Sequence, residues 1–317
     1  MRRIALAGIA SLVLLAACGS DDESSTDTAA PAATNAPADT AAPADTAAPA
    51  ATTAPDATSA PVAASEAAAC AAGKTITDGT LTIATGEPAF PPYVVNDATP
   101  EDGQGFEAAV AMAVAKELGF EGAGVVWTRT AFDAAIAPGP KDFDFNLQQY
   151  TITDARKEVV DCSDGYYTAA QAVFGLADSP AASATSVADL KGLVIGVAAG
   201  TTSVGYVEDV IQPGAQVQVF NDNAAAKAAL ESKQVDAIVS DLPTALYITA
   251  VEIEGTTVFG QIEGSGTDEF GLLLAKDSEL TPCVNLALAA LKASGELDAI
   301  TTTWMSEYTE APIIAAA

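Results

Sequence analysis

FDFNLQQYTITDARKEVVDCSDGYY, Phe143 to Tyr167, is the stretch from which the rest of the chain is read. Phe143–Leu147 predicts a short strand. Gln148, Gln149, Tyr150 and Thr151 follow, and Asp154–Glu158 predicts a helical turn leading into a strand over Val159–Cys162. Arginine is scarce in this protein: Arg2, Arg3, Arg129 and Arg156 are its four arginines in 317 residues. A permanent planar cation a few residues after the Thr151 hydroxyl, just beyond a strand end, suits a carboxylate held by two parallel hydrogen bonds. The alternative is a solvated surface arginine.

Working outward, strand and helix signals alternate. Leu81–Thr85 predicts a strand, followed by a loop carrying Glu87, Phe90, Pro91, Pro92 and Tyr93. Over Gly105–Leu118, Phe106, Val110, Ala113, Val114 and Leu118 share one helical face, and Gly119 ends the helix. Val125–Thr128 predicts a strand and Phe132–Ile136 a short helix. After Gln171 the pattern restarts, with strands at Val194–Val197, Val217–Phe220 and Val235–Val239. Helices are predicted at Val187–Leu190, from Gly200–Ser203, over Ala224–Glu231 and from Pro243. Two late helices, Leu286–Leu291 and Leu297–Met305, are expected to pack on the first series. This alternation predicts α/β architecture with a mainly parallel sheet in each of two lobes.

The N-terminus has a different character. Arg2 and Arg3 precede an apolar run, Ile4–Leu15, too short for a membrane span and shaped like a secretory signal. Ala16 and Ala17 directly before Cys18 resemble a bacterial lipobox, in which Cys18 is lipidated; the alternative is an ordinary cleavage site. Residues 1–18 are therefore expected to be a leader with its lipidation site, and residues 19–73 an Ala/Pro/Thr-rich tether. Such a composition buries too little apolar surface to offset ordering entropy, so a disordered spacer stiffened by proline is expected.

Composition narrows the function. With 42 acidic and 13 basic residues the net charge is −29, which argues against nucleic-acid binding. Histidine is absent, which removes histidine catalysis and histidine metal sites. No cofactor or metal is expected. Outside the cytoplasm two of Cys70, Cys162 and Cys283 are expected to pair, leaving one free; the pairing favoured is Cys70 with Cys283, tying the start of the body to a late helix.

Two further places carry chemistry. At Gly200, Thr201, Thr202 and Ser203 a strand gives way to a helix, which reads either as an anion site of free N–H groups and hydroxyls or as a plain cap. Asp241 ends a strand at the edge where α/β sheets hold ligands, and reads either as an ammonium acceptor or as another cap. Together with Arg156 and Thr151 these groups complement a zwitterionic amino acid.

On these residues the chain resembles the bacterial extracellular solute-binding proteins of family 3, the polar amino-acid-binding components of ABC importers. The resemblance spans Thr80 to Met305. Its motifs are Gly105, Phe106 and Glu107 (where aspartate is usual) with Leu118 and Gly119; Thr151, Ile152, Thr153 and Arg156; Asp189, Leu190, Lys191 and Gly192; Gly196, Gly200, Thr201 and Thr202; and Val235, Asp236, Ala237 and Asp241. It implies a two-lobed periplasmic-binding-protein-like fold with a ligand cleft between the lobes. Lobe 1 is expected over residues 74–170 and 266–317 and lobe 2 over 171–265, with hinge crossings at Tyr166–Ala172 and Glu263–Phe270.

The resemblance also implies roles. Arg156 and Thr202 would hold the ligand α-carboxylate, supported by Thr151. Asp241 and the backbone carbonyl of Gln149 would take the α-ammonium. Phe90 and Phe132 would sandwich the side chain, and Glu87 lies near a position that contacts cationic side chains. Gln149 stands where a small serine or glycine is usual. Trp127 and Tyr150 are expected in the core. The function implied is a monomeric, non-enzymatic binding protein, lipid-anchored to the outer face of the cell membrane. It would present a polar L-amino acid, with a lean to basic or amide side chains, to a permease and its ATPase. The alternatives are an extracytoplasmic dehydratase, with Glu87 as its acid or base, and a ligand-binding sensor. Arg129, unlike Arg156, is expected to matter little to binding.

Overall fold

The computed structural model describes residues 65–316; the expected leader, the expected lipidation site Cys18 and the expected tether up to residue 64 lie outside the described residues. In chain order the strands are β1 (Leu81–Thr85), β2 (Val125–Arg129), β3 (Phe145–Asn146), β4 (Val160–Cys162), β5 (Tyr167–Ala169), β6 (Gln171–Leu176), β7 (Ile195–Ala198), β8 (Gln218–Phe220), β9 (Ala237–Asp241), β10 (Thr256–Ile262), β11 (Asp268–Phe270), β12 (Leu273–Ala275) and β13 (Ile313–Ile314). One sheet has the order β2-β1-β3-β12-β4 and a second the order β13-β10-β6-β9-β7-β8. Between them β5 and β11 form a two-stranded antiparallel ribbon, pairing Ala169 with Asp268 and Tyr167 with Phe270.

Strands that open strand–helix units are parallel: β1 with β2 and β3, and β7 with β8 and β9. The strands that enter a sheet directly from the ribbon, β6 and β12, run antiparallel to their neighbours because they arrive from the opposite direction. Each sheet is therefore mixed, where a mainly parallel sheet was expected in each lobe, because the strands arriving from the ribbon carry no sequence signal of their direction. Along β6 and β9 successive side chains face opposite cores, as a pleat with period two requires. Val173 and Val239 join Ile195, Val197 and Ile262 on one face, while Phe174 and Ile238 join Leu230, Leu242 and Ile248 on the other.

The first sheet is covered by the helix Phe106–Glu117 together with the late helices Thr281–Ser294 and Glu296–Met305. Phe106, Val110, Val114, Leu288, Leu291, Leu297 and Met305 share one buried cluster with Leu81 and Ile83. The helix starts where the chain can approach most closely. A Cβ on Gly105 (φ +110°) would lie 2.5 Å from the Tyr93 carbonyl oxygen. That same carbonyl accepts the Glu107 and Ala108 N–H groups, so the loop caps the helix with its own backbone. Among the described residues no helix is long and apolar enough to cross a membrane.

Two expectations are corrected. The tether was expected to run to residue 73, but Glu66–Ala71 is a helix with Ala67 and Ala71 buried. Ser65 caps it by accepting the Ala68 N–H at 3.1 Å and donates to the Glu117 carbonyl at 2.6 Å. Small alanines let it pack closely against the Phe106–Glu117 helix end at Gly119, a contact that alanine-rich composition alone does not reveal. The last strand was expected with the first lobe, yet β13 pairs in parallel with β10 of the second sheet. Ile314 is buried there beside Ile262, and Gly260 lets the returning chain approach, since a Cβ would sit 2.7 Å from the Pro312 oxygen.

Cys70 and Cys283 are disulfide-bonded, with Cα atoms 5.4 Å apart, and join the first helix to Thr281–Ser294; Cys162 is free and half-buried. The bond spans 213 residues of sequence. Replacing both cysteines by serine is expected to cost about 2–5 kcal/mol, seen as a Tm drop of roughly 5 °C or more by calorimetry. An unchanged Tm would show that the helix contacts alone hold this end of the chain.

Candidate functional site

The carboxyl ends of the parallel strands in both sheets converge on one cavity of about 390 Å³. β1 delivers Thr85, Gly86 and Glu87; β3 leads to Gln148 and Gln149; β7 leads to Thr201 and Thr202; β9 ends at Asp241. All nine residues expected to contact a ligand line this cavity: Glu87, Phe90, Phe132, Gln149, Thr151, Arg156, Thr201, Thr202 and Asp241. Tyr150 and Trp127 do not. Tyr150 is fully buried with its ring stacked under Phe132 at 4.7 Å, and Trp127 packs half-buried against the first core.

Arg156 is placed by a single helical turn, Asp154–Lys157, whose cap Thr153 accepts the Arg156 N–H at 3.2 Å. The residue is 7% exposed. The guanidinium donates to the Thr151 carbonyl at 2.7 Å and, across the cleft, to the Gly200 carbonyl at 2.9 Å. It also lies over the Phe132 ring, 5.5 Å from its centroid. The cleft is narrow here: Gly200 has φ +71°, and a Cβ on it would come 2.1 Å from Asp133 Oδ1. Two further contacts cross the cleft, Thr151 Oγ1 to Thr202 Oγ1 at 3.5 Å and Tyr93 OH to Thr244 Oγ1 at 3.3 Å.

The plain-cap readings of Thr201 and Asp241 do not hold for their side chains. Thr201 occupies the N-cap position of Thr202–Tyr206, but its hydroxyl donates to the Ala198 carbonyl at 2.7 Å. Asp241 precedes Leu242–Tyr247 without a side-chain cap bond, and accepts instead from Gln171 Nε2 at 2.8 Å. Gln171 also donates to Asp268 Oδ2 at 2.7 Å, Thr202 donates to the same oxygen at 3.0 Å, and Ser203 donates to Gln171 Oε1 at 2.7 Å. Asp268 and Gln171 escaped the sequence reading, and Ser203, read there as one hydroxyl of an anion site or cap, instead holds Gln171. Gln171 begins β6, directly after the ribbon, and Asp268 begins the ribbon strand β11; nothing in the local pattern marks either.

Arg129 does not line the cavity. It pairs with Asp97 at 2.8 Å and donates to the Gly86 carbonyl at 3.0 Å, bracing the loop that carries Glu87 and Phe90. Glu107, noted in sequence only as a departure from aspartate, lines the cavity wall and accepts from the Gln149 N–H at 2.8 Å, the Gln149 amide and the Tyr166 hydroxyl.

The cavity is acidic. Glu87, Glu107, Asp133, Asp222, Asp241 and Glu252 face Arg156 and Lys227, and Lys227 is paired with Glu252 at 2.5 Å. Burial pushes the Asp241 carboxyl up to about 7; Asp268's charge adds to this, while the Gln171 hydrogen bond and Arg156 oppose it. Burial likewise pushes Glu107 up to about 7 against its hydrogen bonds from Tyr166 and Gln149. Burial lowers the Arg156 guanidinium from its ordinary value.

The family model for bacterial extracellular solute-binding proteins, family 3, matches residues 81–307, and the chain belongs to that family. It is 30% identical over 231 residues to an L-arginine-binding protein of Pseudomonas aeruginosa, covering 69% of this chain and 86% of the relative. It is also 30% identical over 207 residues to the ABC transporter glutamine-binding protein GlnH of Bacillus subtilis, covering 64% and 73%. Among solved structures, an ancestral arginine-binding protein bound to glutamine shares 34% identity at a TM-score of 0.60, covering 72% of this chain and 98% of that one. An ancestral amino acid-binding protein, described as a precursor of cyclohexadienyl dehydratase, shares 31% identity at 0.58, covering 71% and 95%. The fold is that of the two-lobed amino-acid-binding proteins.

The raised carboxyls give stability a pH dependence with a definite sign. Asp241 and Glu107 hold a proton more tightly when folded than when unfolded. Between roughly pH 4 and 7 folding therefore takes up protons, and this contribution to stability falls as pH rises, levelling off above about 7. The ligand-free Tm of Asp241→Asn is expected to decline less from pH 5 to pH 8 than that of the native protein. Parallel Tm curves would contradict the buried, raised carboxyl at 241.

Proposed function

We propose that this protein is the extracytoplasmic substrate-binding component of an ABC importer, taking a polar L-amino acid with a basic or amide side chain. The observation that carries the reading is one cavity, shared by both sheets, in which Arg156 and Asp241 supply opposite charges. Arg156 and Thr202, with Thr151, take the ligand carboxylate, and Asp241 with the Gln149 carbonyl takes the ammonium. Phe90 and Phe132 flank the side chain, while Glu87 at the rim and the acidic lining favour a cationic or amide end. At ~30 Å³ per water-sized group the cavity holds about a dozen such groups, which suits a long side chain. The names of the relatives, arginine-binding and glutamine-binding, support the same class.

Binding closes the two lobes by hinge motion at the β5–β11 ribbon, because a ligand that touches both sheets favours the closed arrangement. The closed protein is then presented to a permease and its ATPase. Lipid at Cys18 and the tether that follows keep it, as a monomer, on the outer face of the membrane.

The first test is a thermal-shift panel of free amino acids on a form beginning at Gly19, refolded from denaturant to remove carried-over ligand. Arginine, lysine or glutamine is expected to raise Tm by several degrees. Arg156→Ala is expected to weaken that binding about 30- to several thousand-fold, from about 2–5 kcal/mol for truncating one partner of a buried charge pair. Arg129→Ala, acting through the loop, should lose less, and the exposed Lys292→Ala nothing. Equal losses from Arg156→Ala and Arg129→Ala would sink the assignment of Arg156 to the carboxylate. A second reading, dehydration on the same scaffold, draws on Glu107 and Asp241 as buried carboxyls able to exchange protons near neutral pH. Product formed from a cyclohexadienyl acid by the purified protein would favour it.

A further inference from the structure

Glu107 and Gln149 form a couple whose geometry bears on ligand size. Glu107 lies in the first turn of Phe106–Glu117 and is 2% exposed. One carboxylate oxygen accepts the Gln149 backbone N–H at 2.8 Å together with the Tyr166 hydroxyl, and the other accepts the Gln149 side-chain amide. Gln149 holds φ +53°, a left-handed backbone that favours glycine, on a turn that lines the cavity. A glutamine on such a turn can send its amide into the cavity or back to the wall. Here both of its N–H donors close on one carboxylate, so the side chain is drawn back to the wall.

The length of residue 107 decides whether that is achieved. An aspartate is one methylene shorter, which withdraws the carboxylate by about 1.5 Å (one C–C bond). It could keep the backbone N–H or the amide, but not both at hydrogen-bond distance. Tyr166 holds the carboxylate from the other side, at the entry to the ribbon strand β5, where its own N–H donates to the Phe270 carbonyl.

We propose that Glu107 is a specificity-determining positioning residue, which pins the Gln149 side chain to the wall and so keeps the cavity long enough for an extended ligand side chain. The proposal rests on reading the cavity as the amino-acid site. It acts on ligand length and is separate from the charges that hold the α-amino-acid head.

The test compares Glu107→Asp, Gln149→Ser and the double variant by calorimetric titration, with arginine as the long probe and glutamine as the shorter one. Glu107→Asp is expected to lose about 10-fold for arginine, the equivalent of about 1.4 kcal/mol, and markedly less for glutamine. Gln149→Ser sets the arginine affinity of a site with no long side chain at position 149, and the double variant is read against it. The double variant, with no long amide left to restrain, should recover arginine binding, which a merely structural role for Glu107 would not permit. Equal losses for both probes, or no recovery in the double variant, would overturn the proposal. Should Glu107→Asp not fold, Glu107→Gln, which keeps the length but offers one acceptor oxygen in place of two, is expected to release the Gln149 amide and to lose arginine affinity in the same direction. A readout free of ligand separates this proposal from the reading it rests on. The Gln149 side-chain amide resonances, assigned by their loss in Gln149→Ser, should be shifted from free-amide positions in the native protein and return to them in Glu107→Asp. Free-amide positions in the native protein would overturn the inference even if arginine binds; absence of binding with shifted resonances would instead count against the function proposed for the cavity.

Discussion

A guanidinium taken out of water has to be met by acceptors and counter-charge, or its burial is costly. Arg156 draws them from both sides of the cleft: the Thr151 carbonyl beside it, the Gly200 carbonyl opposite, and the face of Phe132. This joint ownership makes the rest of the arrangement necessary. Gly200 must lack a side chain because Asp133 stands where a Cβ would go, and Thr153 must cap the single turn that aims the arginine. Five N–H donors on the guanidinium exceed the two carbonyls it meets, so capacity remains for a carboxylate in the cavity it lines.

The acidic half of the site has the opposite problem. Asp241 and Asp268 share the single amide nitrogen of Gln171, and their mutual repulsion adds to the burial that raises Asp241. Gln171 is itself held by Ser203, and Thr202 donates to Asp268, so the second lobe and the ribbon between the sheets are joined through one polar network. In the proposed complex an ammonium relieves that repulsion while the ligand carboxylate answers Arg156. Both ends of the ligand thereby favour the closed arrangement.

Much of the fold was legible in the chain because it rests on periodicity. The helical face of Phe106, Val110, Val114 and Leu118 lies in the first core as its spacing required, and the strands that were predicted fell within a residue or two of their places, whereas β6, β10 and β12 were not anticipated. The helix Glu66–Ala71 was hidden because six alanine-rich residues are not stable alone and look like the tether before them. Its order comes from a cap at Ser65, close packing by small side chains and the bond from Cys70 to Cys283. The C-terminal strand was misassigned because two isoleucines carry no information about which sheet edge they will meet.

The site divides along the same line. The residue types with distinctive chemistry and few copies, above all Arg156 in an acidic chain nearly free of arginine, were set by sequence alone, as were the alternation of strands and helices and the family motifs that order them. The sequence also fixed which residues stand at strand ends, where α/β sheets hold ligands. Only the tertiary structure decided that Asp268 and Gln171 join Asp241, that Glu107 accepts from Gln149, and that Arg129 braces the loop carrying Glu87. Those outcomes depend on distances between segments far apart in the chain. Local periodicity determines which face of an element is buried, but the meeting of side chains across a cleft is settled by how the two sheets are brought together.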